Sequence, residues 1–203
     1  DNYLSVAPGA NYKLTPKQID EALPLIDEAG IIVMQYEIPE ATIKHVIDLA
    51  NARNIPVLLN FAPARDFDFS YIPKVDILVL NEVEAGFLAQ MKVENEQDAE
   101  KAAVKLVDQG VEKVIITLGS QGAFVVTTEE KVSVPAFKVN AVDTTAAGDT
   151  FCGAYAVANA ERMIPVDALR FASAAAALSV TKMGAQPSAS TRKEIDELLK
   201  NNK

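Results

Sequence analysis

Near-continuous apolar runs alternate along the chain with stretches in which apolar residues recur every three or four positions. The runs Ile31–Gln35, Val57–Asn60, Ile77–Leu80 and Val114–Leu118 carry few polar interruptions, the pattern of strands buried on both faces of a parallel sheet. Between them the spacing predicts helices over Pro16–Glu28, Glu40–Arg53, Glu82–Gln90 and Gln97–Gln109. Thr15 with Gln18, and Pro16 in the first helical position, form a capping-box start. Pro24 is expected to end or kink that helix. Gly30 and Gly110 stand where C-cap glycines belong. Beyond Leu118 two shorter strands, Ala123–Thr127 and Lys131–Val134, read as a small antiparallel addition to the sheet. The last third is helical, over Phe151–Ala160, Pro165–Thr181 and from Ser190 or Thr191 onward, with Glu194 completing a capping box. The run Ala174–Ala177 permits close helix packing. Alternating strands and helices imply a three-layer α/β/α sandwich, one domain over residues 1–203, with ligands at the carboxyl ends of the strands.

Composition narrows the chemistry. The 203 residues are 49% apolar and carry a net charge of −9, which argues against nucleic acid or an anionic membrane surface as partner. Cys152 is the only cysteine, so no internal disulfide can form, and a cytoplasmic setting is the simplest inference. No stretch approaches transmembrane length, and the first residues do not resemble a signal peptide. His45 is the only histidine, read as a surface residue. A His/Cys zinc cage and the usual Ser-His-Asp or Cys-His catalysis are therefore excluded. Acid–base work falls to carboxylates.

The segment Asp143-Thr144-Thr145-Ala146-Ala147-Gly148-Asp149 precedes an apolar helical run. Small residues there let backbone approach a ligand, and a helix start attracts anions through unpaired N–H groups and the macrodipole. Asp149 would sit in the first turn, where a carboxylate can take a proton from a hydroxyl. The plain alternative is a capped helix without chemistry. Asn81-Glu82-Val83-Glu84 follows the third strand; it suits either Mg²⁺ held through water or acidic capping of the next helix. Thr117-Leu118-Gly119-Ser120-Gln121-Gly122 suits passage past a nucleotide, or a simple turn. Gly184-Ala185-Gln186-Pro187-Ser188 ends the alanine-rich helix, offering carbonyls to a cation or merely a C-cap. No Walker A lysine motif is present.

Together these motifs resemble the ribokinase group of the carbohydrate kinases related to phosphofructokinase B. The Asp143–Asp149 stretch is similar to the group's C-terminal signature, and Asn60-Phe61-Ala62-Pro63-Ala64 to its Asn-Pro-Ala-Pro-Ala segment. The resemblance implies ATP-dependent phosphorylation of a pentose, most simply D-ribose at O5, with another sugar or nucleoside kinase of the same family (fructokinase-like) or a non-catalytic nucleotide-binding module as alternatives. It implies Asp149 as the base, Ala146, Ala147 and Gly148 as the anion hole, and Glu37 as a carboxylate reaching the sugar. Asn81 and Glu84 match positions beside the phosphates and Mg²⁺. Thr117, Gly119, Ser120, Gly122 and Ser173 match the nucleotide site. Asp143, Thr145, Ser179, Lys182, Gly184 and Ser188 match the surroundings of an activating K⁺, which would order the anion hole electrostatically.

Some positions depart from the group. Ala146 replaces a frequent Gly, Phe61 a Pro, Lys182 an Arg, and Ser173 an Asn or His near the adenine. The group's first strands, its β lid and its Gly-Gly-Lys-Gly-Ala-Asn sugar segment have no counterpart in these residues. The resemblance therefore implies a ribokinase-like sandwich lacking its N-terminal strands and β lid, an open sheet edge, and little kinase activity from these residues alone. Relatives often dimerise through the lid, which makes a homodimeric parent one expectation.

Overall fold

Residues 8–202 are described by the computed structural model; the strand expected to lead into Pro8 falls outside them. Four apolar segments pair side by side as parallel strands: β1 (Ile32–Gln35), β2 (Val57–Asn60), β3 (Ile77–Asn81) and β4 (Lys113–Thr117). β5 (Ala123–Val126) and β6 (Lys131–Val134) add antiparallel, giving one six-stranded sheet in the order β1 to β6. Sequential parallel strands joined by right-handed crossovers carry their connections on one face. α1 (Pro16–Glu21), α2 (Leu23–Asp27), α3 (Glu40–Arg53), α4 (Glu82–Ala89) and α5 (Glu96–Asp108) belong to the first part of the chain. The opposite layer is built by α6 (Ala147–Ala160), α7 (Pro165–Ser179) and α8 (Arg192–Asn201).

The pleat divides the apolar residues between two cores. Leu59, Leu78, Leu80, Val114 and Ile116 pack with Ile43, Ile47, Ala103 and Leu106. Their neighbours Leu58, Ile77, Val79 and Ile115 face the other way, against Phe151, Tyr155, Leu169 and Ala172. That double burial is why the strands read as unbroken apolar runs rather than as alternating ones. Phe61, in place of proline, is fully buried, stacked on Tyr36 at 5.1 Å and edge-on to Phe67 at 5.8 Å. An aromatic cluster of this kind fills the space beneath the β1 and β2 loops.

Strand positions agree with the expected ones to within a residue, and the helices differ in three places. The expected Pro16–Glu28 helix is split at Ala22, because Pro24 cannot sit beside the carbonyl four residues back. Gly30 is not left-handed; α2 ends in a tight turn from Ala29 N–H to Ile26 O and needs no such residue. Left-handed caps instead fall on Asn54 and Gln90, at the ends of α3 and α4. α6 begins at Ala147, four residues before the apolar run at Phe151, which puts Asp149 in its first turn as expected. Its first turn is exposed, so apolar periodicity carries no sign of it. At the sheet's far side β1 has β2 as its strand neighbour among the described residues, and Val33 is 45% exposed.

Candidate active site

Gln35, Asn60, Asn81 and Thr117 are the last residues of four adjacent parallel strands. Polar residues gather at the end of the sheet where the strands stop and their loops begin. Asn81 pairs in register with Thr117, and Gln35 with Asn60. Into this end points the start of α6. Ala146, its N-cap, has φ 58 and ψ 15, a left-handed conformation unusual for a residue with a Cβ. That turn brings the backbone round so that Asp149 stands in the first turn of the helix.

The amides of this turn are only partly used. Ala147 N–H reaches Thr144 O at 3.3 Å, and Ala146 O accepts from Thr150 N–H at 2.9 Å. The N–H groups of Ala146, Gly148 and Asp149 donate to no partner among the described residues. A Cβ built on Gly148 would meet nothing within 4 Å, so the approach to these amides is open. Asp149 is exposed, and its Oδ1 accepts from Gln35 Nε2 at 3.2 Å. This contact joins the sheet to α6, and no motif in the sequence flagged Gln35. Its signal is one polar residue closing an apolar strand. Two residues further on, the exposed Glu37 accepts from Asn11 Nδ2 at 3.5 Å.

Asn81 and Glu84 form a complete capping box on α4: Asn81 Oδ1 accepts from Glu84 N–H at 2.9 Å, and Glu84 Oε2 from Asn81 N–H at 2.8 Å. Burial pushes the Glu84 carboxyl up, against the pull of the Asn81 hydrogen bonds. Both side chains are thus engaged in capping α4. No group of three or more His, Cys, Asp or Glu side chains clusters as a metal site among the described residues. Cys152, one turn along α6 from Asp149, is 3% exposed. Burial first, then the charges of Asp149 and Glu84, push its thiol up to about 12.

After β4 the chain turns through a short 3₁₀ segment, Gly119–Gln121, and Gly122 closes the turn at φ 113. A Cβ there would lie 2.1 Å from Val134 O, so only glycine fits. Thr117 Oγ1 donates to Leu80 O at 3.3 Å, and Ser120 is exposed at the tip. Ser173 lies in mid α7; its hydroxyl is buried without a hydrogen-bond partner among the described residues.

Of the remaining candidates, Thr145 and Gly184 bind Asp143 directly. Its Oδ1 accepts from Thr145 N–H at 2.9 Å and Thr145 Oγ1 at 2.6 Å, and its Oδ2 from Gly184 N–H at 2.9 Å. These bonds, the Thr145 hydroxyl first, hold the carboxyl below the usual range. The loop before α6 is thereby tied to the loop after α7. Ser179 Oγ donates to Ala176 O and Ser188 Oγ to Ala185 O. The Lys182 ammonium is turned toward Glu194 at 3.1 Å and Ser190 at 3.2 Å. The carbonyls of Thr145 and Gly184 accept no hydrogen bond among the described residues. A groove of about 580 Å³ starts at Ala146 and Asp149 and follows α6 to Val157, bordered by Phe171 and Arg192. Asn81, Thr117 and Gly122 do not line it.

A model of the pfkB family of carbohydrate kinases matches residues 1–192. The chain is 39% identical to a ribokinase of Haemophilus influenzae, over 98% of this chain and 65% of that protein. It is equally similar, with the same coverage, to a deoxyribokinase of Salmonella typhimurium. The fold superposes on the structure of Arabidopsis thaliana ribokinase complexed with ribose and ATP with a TM-score of 0.90 at 33% identity, covering 98% of this chain and 65% of that one. The chain spans about 65% of the length of these relatives. With the family model matched over nearly its whole length, this chain belongs to the pfkB family of carbohydrate kinases.

Proposed function

We propose that the polypeptide carrying this chain transfers the γ-phosphate of ATP to a pentose hydroxyl, D-ribose O5 first among the candidates. The observation that carries the reading is the start of α6: uncommitted N–H groups on Ala146 and Gly148 beside an exposed carboxylate, Asp149. In the proposed step Asp149 takes the hydroxyl proton as that oxygen bonds to the γ-phosphorus. The bond from phosphorus to the bridging oxygen breaks, and ADP leaves. The N–H groups of Ala146, Ala147 and Gly148 stabilise the negative charge on the transferred group. Glu37 holds the sugar. Thr117, Gly119, Ser120, Gly122 and Ser173 line the nucleotide.

The donor sets bear on the ions such a reaction uses. With Asn81 and Glu84 committed to capping, Mg²⁺ fits beside them through its own water shell, supplying charge neutralisation on the phosphates when bound. Around Asp143 the donors are all oxygens, including the uncommitted Thr145 and Gly184 carbonyls, which suits a K⁺. Ser179 ends α7 and Ser188 lies in the segment that follows it, and Lys182 would contribute only its carbonyl, because its ammonium is paired with Glu194. The reading takes the setting to be cytoplasmic and the partners to be small molecules.

Replacing Asp149 with Asn in the complete polypeptide tests the base. Turnover should fall by roughly 10²–10⁴-fold, the usual contribution of a positioned base, while Mg-ATP affinity stays within a few-fold. Unchanged turnover would remove Asp149 from this role and leave a nucleotide-binding module. The sugar is decided by a panel: the deoxyribokinase relative makes 2-deoxyribose the specific rival. Phosphorylation of fructose but not of ribose would overturn the pentose assignment.

A further inference from the structure

We propose that Gln35 is a positioning residue for the reaction, holding Asp149 in the orientation that receives the substrate proton. This rests on the reading of Asp149 as base given above.

Gln35 is the last residue of β1. Side chains alternate along a strand. Met34 is buried in the core on the α3 side, and Gln35 emerges on the opposite face, toward α6. Its backbone is fixed on both sides: β1 pairs Gln35 with Asn60, and the next N–H, on Tyr36, donates to Ala62 O at 3.0 Å. From that fixed base Nε2 reaches Asp149 Oδ1 at 3.2 Å, across 114 residues of sequence. Asp149 Oδ2 accepts no hydrogen bond among the described residues, and neither does Gln35 Oε1. One carboxylate oxygen is therefore held by the sheet, and the other is left for a hydroxyl.

The chemistry favours an amide in this place. An exposed aspartate in a helix's first turn is free to rotate between staggered positions, and a misplacement of about 1 Å can cost on the order of 100-fold in rate. A lysine or arginine at position 35 would hold the carboxylate harder, but its charge would also favour the ionised form and weaken the base. Glutamine donates one directed hydrogen bond without adding charge. The segment also continues directly into Glu37, the proposed sugar contact, so one strand end carries both the tether of the base and a contact to the substrate.

The test uses the complete polypeptide with Mg-ATP and ribose, comparing wild type with Gln35→Met, which keeps length and removes the donor, and Gln35→Glu, which sets a second carboxylate against Asp149. Both variants should lose kcat, by about 10- to 100-fold for Gln35→Met and by more for Gln35→Glu. The KM for ribose and the Kd for Mg-ADP should stay within threefold, and the melting temperature within a few degrees. A Gln35→Met enzyme with kcat within twofold of wild type overturns the proposal. So does a raised ribose KM at constant kcat, which would make Gln35 a substrate contact. Loss of Mg-ADP binding or a much lower melting temperature would mark a merely structural role and overturn it too. A wild type that phosphorylates no sugar in the panel sinks the functional reading itself, which none of the variant results can do.

Discussion

At the scale of single residues, the start of α6 separates conformational need from chemical need. Ala146 is left-handed although it carries a Cβ. An L-residue in that conformation costs about 1–2 kcal/mol over glycine, partly offset because alanine narrows the unfolded ensemble by about 0.4–1 kcal/mol. Ala146→Gly is therefore expected to stabilise the chain by up to about 1.5 kcal/mol in urea unfolding; a loss of stability would show that the Cβ packs usefully. Gly148 is the opposite case. It lies in α6 without a positive φ, and a Cβ there meets nothing within 4 Å. Gly148→Ala should leave stability unchanged or raise it by up to about 1 kcal/mol, yet lower kcat at least tenfold if the phosphate comes close to this backbone. Equal kcat would place the phosphate elsewhere. Asp149 stood out in the sequence because a carboxylate beside Ala-Ala-Gly at a helix start suits a base next to an anion hole, although a plain cap explains it as well. Gln35 did not, because its partner is 114 residues away and no local pattern encodes that approach.

At the scale of elements, N-terminal capping boxes proved more legible than C-caps or helix limits. Thr15 with Gln18 and Thr191 with Glu194 form the expected boxes, since the residues that satisfy a helix's first N–H groups are adjacent in sequence. Apolar periodicity marks α6 only from Phe151, because its first turn buries nothing, and the placing of Asp149 in that turn came from its chemistry instead. Glu194 does more than cap α8: it also accepts from Lys182, in the loop that Asp143 grips through Gly184. Backbone and hydroxyl bonds from Thr191, then Lys182, lower its carboxyl to about 2. A lowered folded value means that the unfolded chain binds the proton first. The contribution is therefore full above the ordinary glutamate range and is lost as pH falls from about 4.5 toward about 2. Glu194→Gln should lower stability above that window, where the contribution is full, and flatten the fall across it, so that the two proteins converge at low pH. Urea midpoints measured at steps from pH 6 to pH 2.5 check this, and parallel curves for the two proteins would deny Glu194 the coupling.

At the scale of the whole molecule, the sheet separates two cores, and the candidate site lies at one end of both. The four parallel strands, the antiparallel pair and the layer order were legible because burial on both faces writes unbroken apolar runs. The meeting of the Asp143 loop with the loop after α7 was not, because hydrogen bonds between loops leave no periodicity. Cys152 offers a probe of how these parts hold together. It is the only cysteine in the chain, it packs in the core beneath α6, and burial with the Asp149 and Glu84 charges pushes its thiol up to about 12. The thiolate is the reactive form, so modification in the native state requires α6 to lift from β1 and β2. At pH 8 a small thiol reagent should react at least about a thousandfold more slowly with the native chain than with the chain in denaturant, a range set by local opening. If nucleotide binding fastens the start of α6, Mg-ADP in potassium buffer should slow the native reaction further, in proportion to 1 + [L]/Kd where opening abolishes binding. A native rate near that of the unfolded chain would mean that α6 is not held by the sheet. A slow rate indifferent to Mg-ADP would detach nucleotide binding from the α6 turn, and with it the assignment of the Ala146–Gly148 amides to the transferred phosphate.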